Sequence, residues 1–205
     1  DRLRGRWVSL ASDRSNRPAD FRPAQPEKTA PVAGFCPFCE GNESKTPPEV
    51  FARRRKGTRK DKPGWWVRVV PNKLPALTRG EPPVQHNEGI FQWMEGTGVH
   101  EVIIESPVHE RELFDLPLYH IRCVLETYRD RIVSIEREFH YRYVHVFKNK
   151  GREAGASLSH PHSQIVATPI IPKGVNEELY NCERLHRQFG ECIFCRLIRD
   201  EGLIG

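Results

Sequence analysis

Toward the end of the chain runs the string Gly155-Ala156-Ser157-Leu158-Ser159-His160-Pro161-His162-Ser163-Gln164. Side chains alternate between faces in an extended segment, so His160, His162 and Gln164 project together. Three polar groups in a row beside Ile165-Val166-Ala167 make a poor core face and a good reactive one. An imidazole placed there can attack phosphorus directly and form a phosphoramidate. It needs its Nδ1 proton tied to an acceptor so that Nε2 presents a lone pair. It also needs donors for the charge that develops on phosphoryl oxygens, and Gln164, Ser157 and the local amides are candidates. Pro161 suits an edge or exposed position, and the small residues before it let backbone approach a ligand. A bare His-x-His in a surface strand is ordinary; the surrounding string sets this one apart.

The second set of reactive residues is made of cysteines. Four of the six form Cys36-Pro37-Phe38-Cys39 and Cys192-Ile193-Phe194-Cys195, while Cys123 and Cys182 stand apart. Pairs at this spacing, in a chain this long with no visible secretory signal, read as metal ligands before disulfides. Tetrahedral zinc needs two more ligands beside Cys36 and Cys39. The candidates are His86, His100, His109, His120, His140, His145, His160, His162 and His186, and spacing alone does not choose among them. A redox dithiol and a pair of buried thiols are the alternatives.

These groups have to be held by secondary structure. Strand-like runs occur at Arg6–Leu10, Trp65–Val70, His100–Glu105, Tyr143–Phe147 and Ser163–Thr168, most of them closed by Pro, Asn or Gly. Apolar residues at 121, 124, 125, 128, 132, 135 and 139 predict an amphipathic helix from about Asp115 to Phe139, with Asp115 as N-cap and Pro117 in the first turn. A shorter helix is expected over about 176–189. One long helix on a mostly antiparallel sheet is an α+β fold. Residues 14–31 are polar and Pro-rich and should run over the surface.

The whole-chain numbers exclude several classes. With 205 residues the chain can bury a real core. Charged residues make up 29%, and no apolar run approaches membrane length, so no spanning helix is expected. A net charge of +5 suits phosphorylated ligands and is too mild to argue for nucleic acid. The basic run Arg53–Lys62 is broken by Gly57, Asp61, Pro63 and Gly64 and carries no interleaved aromatics, so a solvated loop is favoured over a nucleic-acid patch. The chain starts at Asp1 without an initiator Met, no apolar segment follows its first arginines, and a cytoplasmic location is expected.

Taken in order, the motifs resemble the galactose-1-phosphate uridylyltransferases of the histidine-triad superfamily, in the branch with a His-x-His-Ser-Gln signature. The resemblance runs from Trp7-Val8 and Arg14-x-x-Arg17-Pro18 through Cys36-Pro37-Phe38-Cys39 and Val69-Val70-Pro71-Asn72-Lys73-Leu74-Pro75. It continues through Gly98-Val99-His100-Glu101-Val102, Glu105-Ser106-Pro107-Val108-His109 and Phe147-Lys148-Asn149-Lys150-Gly151 to the string at Gly155–Gln164. It implies an antiparallel half-barrel sheet packed with a long amphipathic helix. It implies His162 as the nucleophile that accepts a nucleotidyl group, with the His160 carbonyl fixing its tautomer. Zinc would be held by Cys36, Cys39, His109 and His160. Gly155 belongs to the phosphate-side string; Asn149, Ser157 and Gln164 match residues that hold phosphates. Asn72 matches a nucleoside contact, and Arg14 and Arg17 match arginines near the diphosphate. Gln164 stands where hydrolases of the superfamily carry a third histidine, which marks a transferase. The implied reaction is uridylyl transfer between UDP-glucose and galactose 1-phosphate by double displacement.

The family is built from two related halves, and the resemblance divides this chain into a first half, 1–172, and a linker helix with the start of a second half, 173–205. Cys192 and Cys195 would open a second, incomplete zinc site. A homodimer, or pairing with a C-terminal half, is expected. Three rivals remain at this level: adenylyl transfer of the ADP-glucose phosphorylase type, a non-catalytic zinc module, and a nucleotide-binding remnant without turnover.

Overall fold

The computed structural model describes residues 6–10, 35–139, 141–151, 153–154, 156 and 158–204. Arg14, Arg17, Gly155, Ser157 and His140 lie outside the described residues. The chain divides into two compact units, Ser9–His86 with Trp93–Pro169, and Asp1–Val8 with Asn87–Gln92 and Ile170–Gly205.

The larger unit is built on five antiparallel strands: β1 (Phe51–Arg54), β2 (Trp65–Pro71), β5 (Val99–Ile104), β6 (Tyr143–Phe147) and β7 (His162–Thr168), in the order β1-β2-β5-β7-β6. A short hairpin, β3 (His86–Glu88) and β4 (Phe91–Trp93), forms a separate two-stranded sheet. The central strands β5 and β2 are almost wholly buried, and their Val/Ile-rich sequences are those of strands covered on both faces.

Alternation assigns the two faces. Val67, Val69, Val99, Ile103, Ile165 and Ala167 point to one side and pack with Leu116, Val124 and Ile135 around the helix α1 (Leu118–Phe139). On the other side Trp65, Val70, Val102 and Ile104 pack with Cys36 and Phe38 from the loop ahead of β1. A bulge lets one strand serve both. Arg53 pairs with Val67 and Arg54 with Trp65, so Trp66 is the extra residue and Trp65 swings to the Cys36 side. The result is the α+β fold with an open, half-barrel-like antiparallel sheet and one long amphipathic helix.

Several expectations are corrected. Arg6–Leu10 is irregular and exposed, since no ladder among the described residues pairs it. Asp115 does not cap α1; it closes a 3-10 turn, Leu113–Asp115, by a reciprocal box with Glu112, and its carboxylate accepts the Glu112 N–H at 3.1 Å. The helix instead begins at Leu118, with the Pro117 carbonyl accepting the first amides, from His120 and Ile121. Part of the basic run is strand: Arg53 and Arg54 belong to β1, where Arg53 pairs with Asp130 at 2.5 Å and Arg54 with Glu49.

In the smaller unit α2 (Lys173–Phe189) starts right after Pro172, a few residues earlier than its apolar pattern suggested, and stops at Gly190 in the left-handed conformation, φ 73°. A further helix, α3 (Ile193–Ile204), follows. Cys192 and Cys195 lie at its start, both exposed. The helix amides at Cys195 and Phe194 lower the Cys192 pKa, while its neighbour Cys192 raises that of Cys195.

Candidate active site and metal centre

Four ligand-type side chains meet beside the Cys36 face of the sheet: Cys36, Cys39, His109 and His160, with donor atoms within 4.8 Å of one another. Each arrives for a local reason. Cys36 and Cys39 sit on a tight turn closed by Cys39 N–H to the Cys36 carbonyl at 3.3 Å, and Asn42 Nδ2 grips the same carbonyl at 2.8 Å. Gly41 completes the turn at φ 95°, where a side chain would be strained. Glu43 accepts from Gly41 N–H at 3.1 Å and from Trp65 Nε1–H at 2.8 Å, tying the turn to β2. His109 is aimed by the turn after β5, in which Ser106 Oγ accepts the Val108 N–H at 3.1 Å. The two loops are joined by Glu40 N–H to the Pro107 carbonyl at 3.3 Å.

The spacings fit a tetrahedral ion. Zinc bonds of about 2.3 Å to sulfur and about 2.0 Å to nitrogen, at tetrahedral angles, put neighbouring S and N roughly 3.6 Å apart. The structure has Cys36 Sγ to His160 Nδ1 at 3.6 Å, Cys39 Sγ to His160 Nδ1 at 3.7 Å and Cys39 Sγ to His109 Nδ1 at 3.4 Å. The imidazoles are turned correctly as well. His160 Nε2–H donates to the Ser106 carbonyl at 2.8 Å, and His109 Nε2 meets Ser159 Oγ at 3.0 Å, which leaves each Nδ1 for a metal. Burial, opposed by the Ser106 carbonyl, drops the His160 pKa to about 4, and burial plus the Cys36 neighbour lifts Cys39 to about 11. Neutral His160 is the ligand form, and a bound cation would draw the Cys39 thiol to its thiolate.

Of the other histidines, His120 is spent on structure, its Nε2 between the Trp66 and Glu105 carbonyls at 3.0 and 2.8 Å. His86 pairs with Glu95 at 3.2 Å, and His145 stands exposed on β6.

His162 opens β7 two residues beyond the metal-type cluster. Its Nδ1–H donates to the His160 carbonyl at 2.8 Å, so Nε2 carries the lone pair. The Phe38 ring packs edge-on against both rings, 6.0 Å from His160 and 5.3 Å from His162. The strand beneath is braced from the helix side: Glu105, fully buried, accepts from Ser163 Oγ, from Tyr128 OH at 2.9 Å and from Lys148 Nζ at 2.6 Å. Burial and the Glu105 charge push the Tyr128 pKa up, so its hydroxyl stays a donor.

Gln164 lies on the His162 face, opposite Val102, and its Oε1 meets His100 Nε2 at 2.8 Å. Asn72 joins the same group, with Nδ2 3.0 Å from that nitrogen. The β6 ladder ends at Phe147↔Gln164, two residues before Asn149. The geometry thus brings Asn72, Gln164, His160 and His162 together, and Cys192 and Cys195 belong to the other unit. Sequence reasoning missed the work of Phe38, the Ser106 carbonyl and His100; only the last had a visible signal, a histidine inside a strand.

A histidine strand beside a Cys2His2 cluster on an open antiparallel sheet defines an α+β protein with a candidate metal centre next to a candidate nucleophile. The chain belongs to the galactose-1-phosphate uridyl transferase family: the profile of that family's N-terminal domain matches residues 1–172. It is similar to ADP-glucose phosphorylase from Arabidopsis thaliana, 36% identical over 197 residues, covering 95% of this chain and 55% of the relative. It is also similar to galactose-1-phosphate uridylyltransferase from Thermotoga maritima, 31% identical over 201 residues, covering 98% and 55%. Among solved structures, the Arabidopsis ADP-glucose phosphorylase with bound ADP-glucose superposes with a TM-score of 0.66 at 33% identity, over 83% of this chain and 52% of that one. The chain therefore spans about half the length of the curated relatives it matches.

Proposed function

We propose that this chain carries the nucleophile of a nucleotidyltransferase that works by double displacement on a nucleoside diphosphate glucose. The observation that supports this most directly is the His162 Nδ1–H bond to the His160 carbonyl at 2.8 Å, which leaves Nε2 as the attacking atom on a face shared with Gln164. In the first step His162 Nε2 bonds to the α-phosphorus, and the bond from that phosphorus to the glucose 1-phosphate oxygen breaks. In the second, a phosphate oxygen of the acceptor attacks the same phosphorus and frees His162. Both leaving groups are stable without protonation, so positioning and charge stabilisation carry the rate. Gln164 and Asn149, with Gly155 and Ser157, are the groups we assign to the phosphates, Asn72 to the nucleoside, and Arg14 and Arg17 to the diphosphate.

We assign Cys36, Cys39, His109 and His160 to zinc, which when bound supplies a structural cross-link at the root of the histidine strand. Cys192 and Cys195 are assigned to a second, incomplete zinc site. A reducing compartment such as the cytoplasm suits ligands that must stay thiols, and residues 1–172 form the proposed catalytic half, working as a dimer or with a C-terminal half.

The donor is read first as UDP-glucose with galactose 1-phosphate as acceptor, in line with the family. Adenylyl transfer from ADP-glucose is the second reading, favoured by the 36% identity to a phosphorylase of that substrate. Intact mass spectrometry after incubation with each donor tests both. A uridylyl or adenylyl mass gain on the His162 peptide, absent in His162→Asn, is expected and names the base. A folded, zinc-loaded chain that gains neither mass would overturn the covalent reading.

A further inference from the structure

His100 stands on β5 with Val166 as its cross-strand partner, two pairs along from Val102↔Gln164 and on the same face, and 6% of it is exposed. Two backbone donors dictate its proton. The Ala76 N–H points at His100 Nδ1 at 2.9 Å, and a backbone amide cannot become an acceptor. Nδ1 is therefore bare, and in the neutral ring the proton sits on Nε2. Among the described residues, the side chains of Asn72 and Gln164 reach that nitrogen. Asn72 cannot take the proton, because its Oδ1 is turned to the Leu74 N–H at 2.9 Å and it offers only Nδ2. Gln164 Oε1, at 2.8 Å, is the acceptor. With its oxygen held inward, the Gln164 carboxamide must present its NH2 away from His100.

We propose that His100 is a positioning residue that makes Gln164 a hydrogen-bond donor toward the phosphoryl group transferred to His162. This rests on the reading of His162 as the nucleotidyl acceptor. An amide side chain left to itself has two nearly isosteric orientations, and one of them would aim a carbonyl oxygen at an anion. His100 removes that orientation before substrate arrives, and the site is preorganised for negative charge. Residues i and i+2 of a strand lie roughly 7 Å apart on one face, a distance the Gln164 side chain spans toward a phosphate seated on His162. The chain Ala76 N–H, His100, Gln164 thus links the segment after β2 to the reacting strand.

Two measurements test it. In 15N-histidine-labelled protein, the His100 ring should show a bare Nδ1 and a protonated Nε2, and its Nε2 resonance should move in Gln164→Leu. Single-turnover adduct formation in His100→Leu should slow by roughly 10- to 100-fold at saturating donor, the range expected for a misaimed charge-stabilising donor. Donor affinity should fall far less. His100→Gln, whose amide can donate from the same place, should recover most of the rate. Melting temperature and zinc content, compared across the variants, exclude general damage. A protonated Nδ1, or a His100→Leu rate equal to wild type, overturns the proposal. If the wild-type chain forms no adduct with either donor, the covalent reading fails, and the ring-nitrogen spectrum alone then decides whether His100 orients Gln164.

Discussion

His160 divides its work among three atoms. Nδ1 faces the two thiols, Nε2–H is anchored on the Ser106 carbonyl, and the backbone oxygen takes the His162 Nδ1–H. One residue therefore couples the metal-type cluster to the tautomer of the proposed nucleophile, and loss of the cluster should be felt at His162. Replacing Cys39 by Ser removes a thiolate from the set that also holds His160. We expect bound zinc, measured by elemental analysis, to fall far below that of the wild type. We also expect a stability loss of about 3 kcal/mol, or roughly 6–12 °C in Tm for a chain this size. His109→Ala should do the same, whereas His86→Ala, which loses an exposed Glu95 pair and a stack on Trp93 in the short hairpin, should leave zinc unchanged and Tm within a few degrees. At this scale the sequence displayed the right residue types, because Cys-x-x-Cys spacing and strand alternation are local properties. Choosing His109 and His160 out of nine histidines depends on loops brought together across separations of 70 and more than 120 residues, which no local pattern encodes.

Elements act through how closely they pack. Gly98 leads into β5 where the backbone of β7 passes: a Cβ there would meet the Ala167 carbonyl oxygen at 2.4 Å and Leu77 Cδ1 at 2.7 Å. Backbone in a central ladder cannot give way, so Gly98→Ala should cost about 1–3 kcal/mol in urea unfolding while leaving bound zinc in place. The turn bearing Cys36 and Cys39 is fastened differently, through Glu43. Burial alone would raise that carboxyl, but bonds from Trp65 Nε1–H and from its own and the Gly41 backbone, with the Arg68 charge, hold it below the ordinary 4.5. A folded pKa below the unfolded one contributes stability above the unfolded value and loses it as pH falls through the folded one. Glu43→Gln should therefore destabilise by about 1–3 kcal/mol at pH 7. The gap to wild type should narrow steadily as urea melts are repeated below pH 4.5; a gap constant down to pH 3 would show that the carboxylate charge contributes nothing. The long helix was legible because its apolar stripe, with Val124 and Ile135 at its centre, is what packs on Val67, Val69 and Ile165 of the sheet. Its start was misread because Asp115 and Pro117 satisfy a capping pattern that the 3-10 turn uses first. β1 was missed because Arg53 and Arg54 read as solvated, whereas Asp130 and Glu49 partner them from elsewhere in the fold.

For the whole molecule, the decisive fact is that the chain spans about half of its relatives while holding the groups proposed for one half of a reaction. Double displacement separates cleanly there. Formation of the His162 adduct needs the nucleophile, its tautomer lock and donors for the phosphate, and most of these lie on β7, β5 and the loops beside them. Discharge needs a grip on the acceptor, for which nothing on the described sheet face is assigned. We therefore expect this chain alone to charge His162 but to release the nucleotidyl group slowly, about 10-fold or more below the charging rate, since charging is unimolecular once the donor is bound whereas discharge requires a second reactant to be positioned. Chasing the adduct distinguishes the two readings of function. Hexose 1-phosphate as the faster acceptor returns a nucleotide sugar and marks a uridylyltransferase-type cycle. Inorganic phosphate as the faster acceptor returns a nucleoside diphosphate and marks a phosphorylase-type cycle. Discharge as rapid as charging, with either acceptor, would mean that the acceptor site is already complete within these 205 residues.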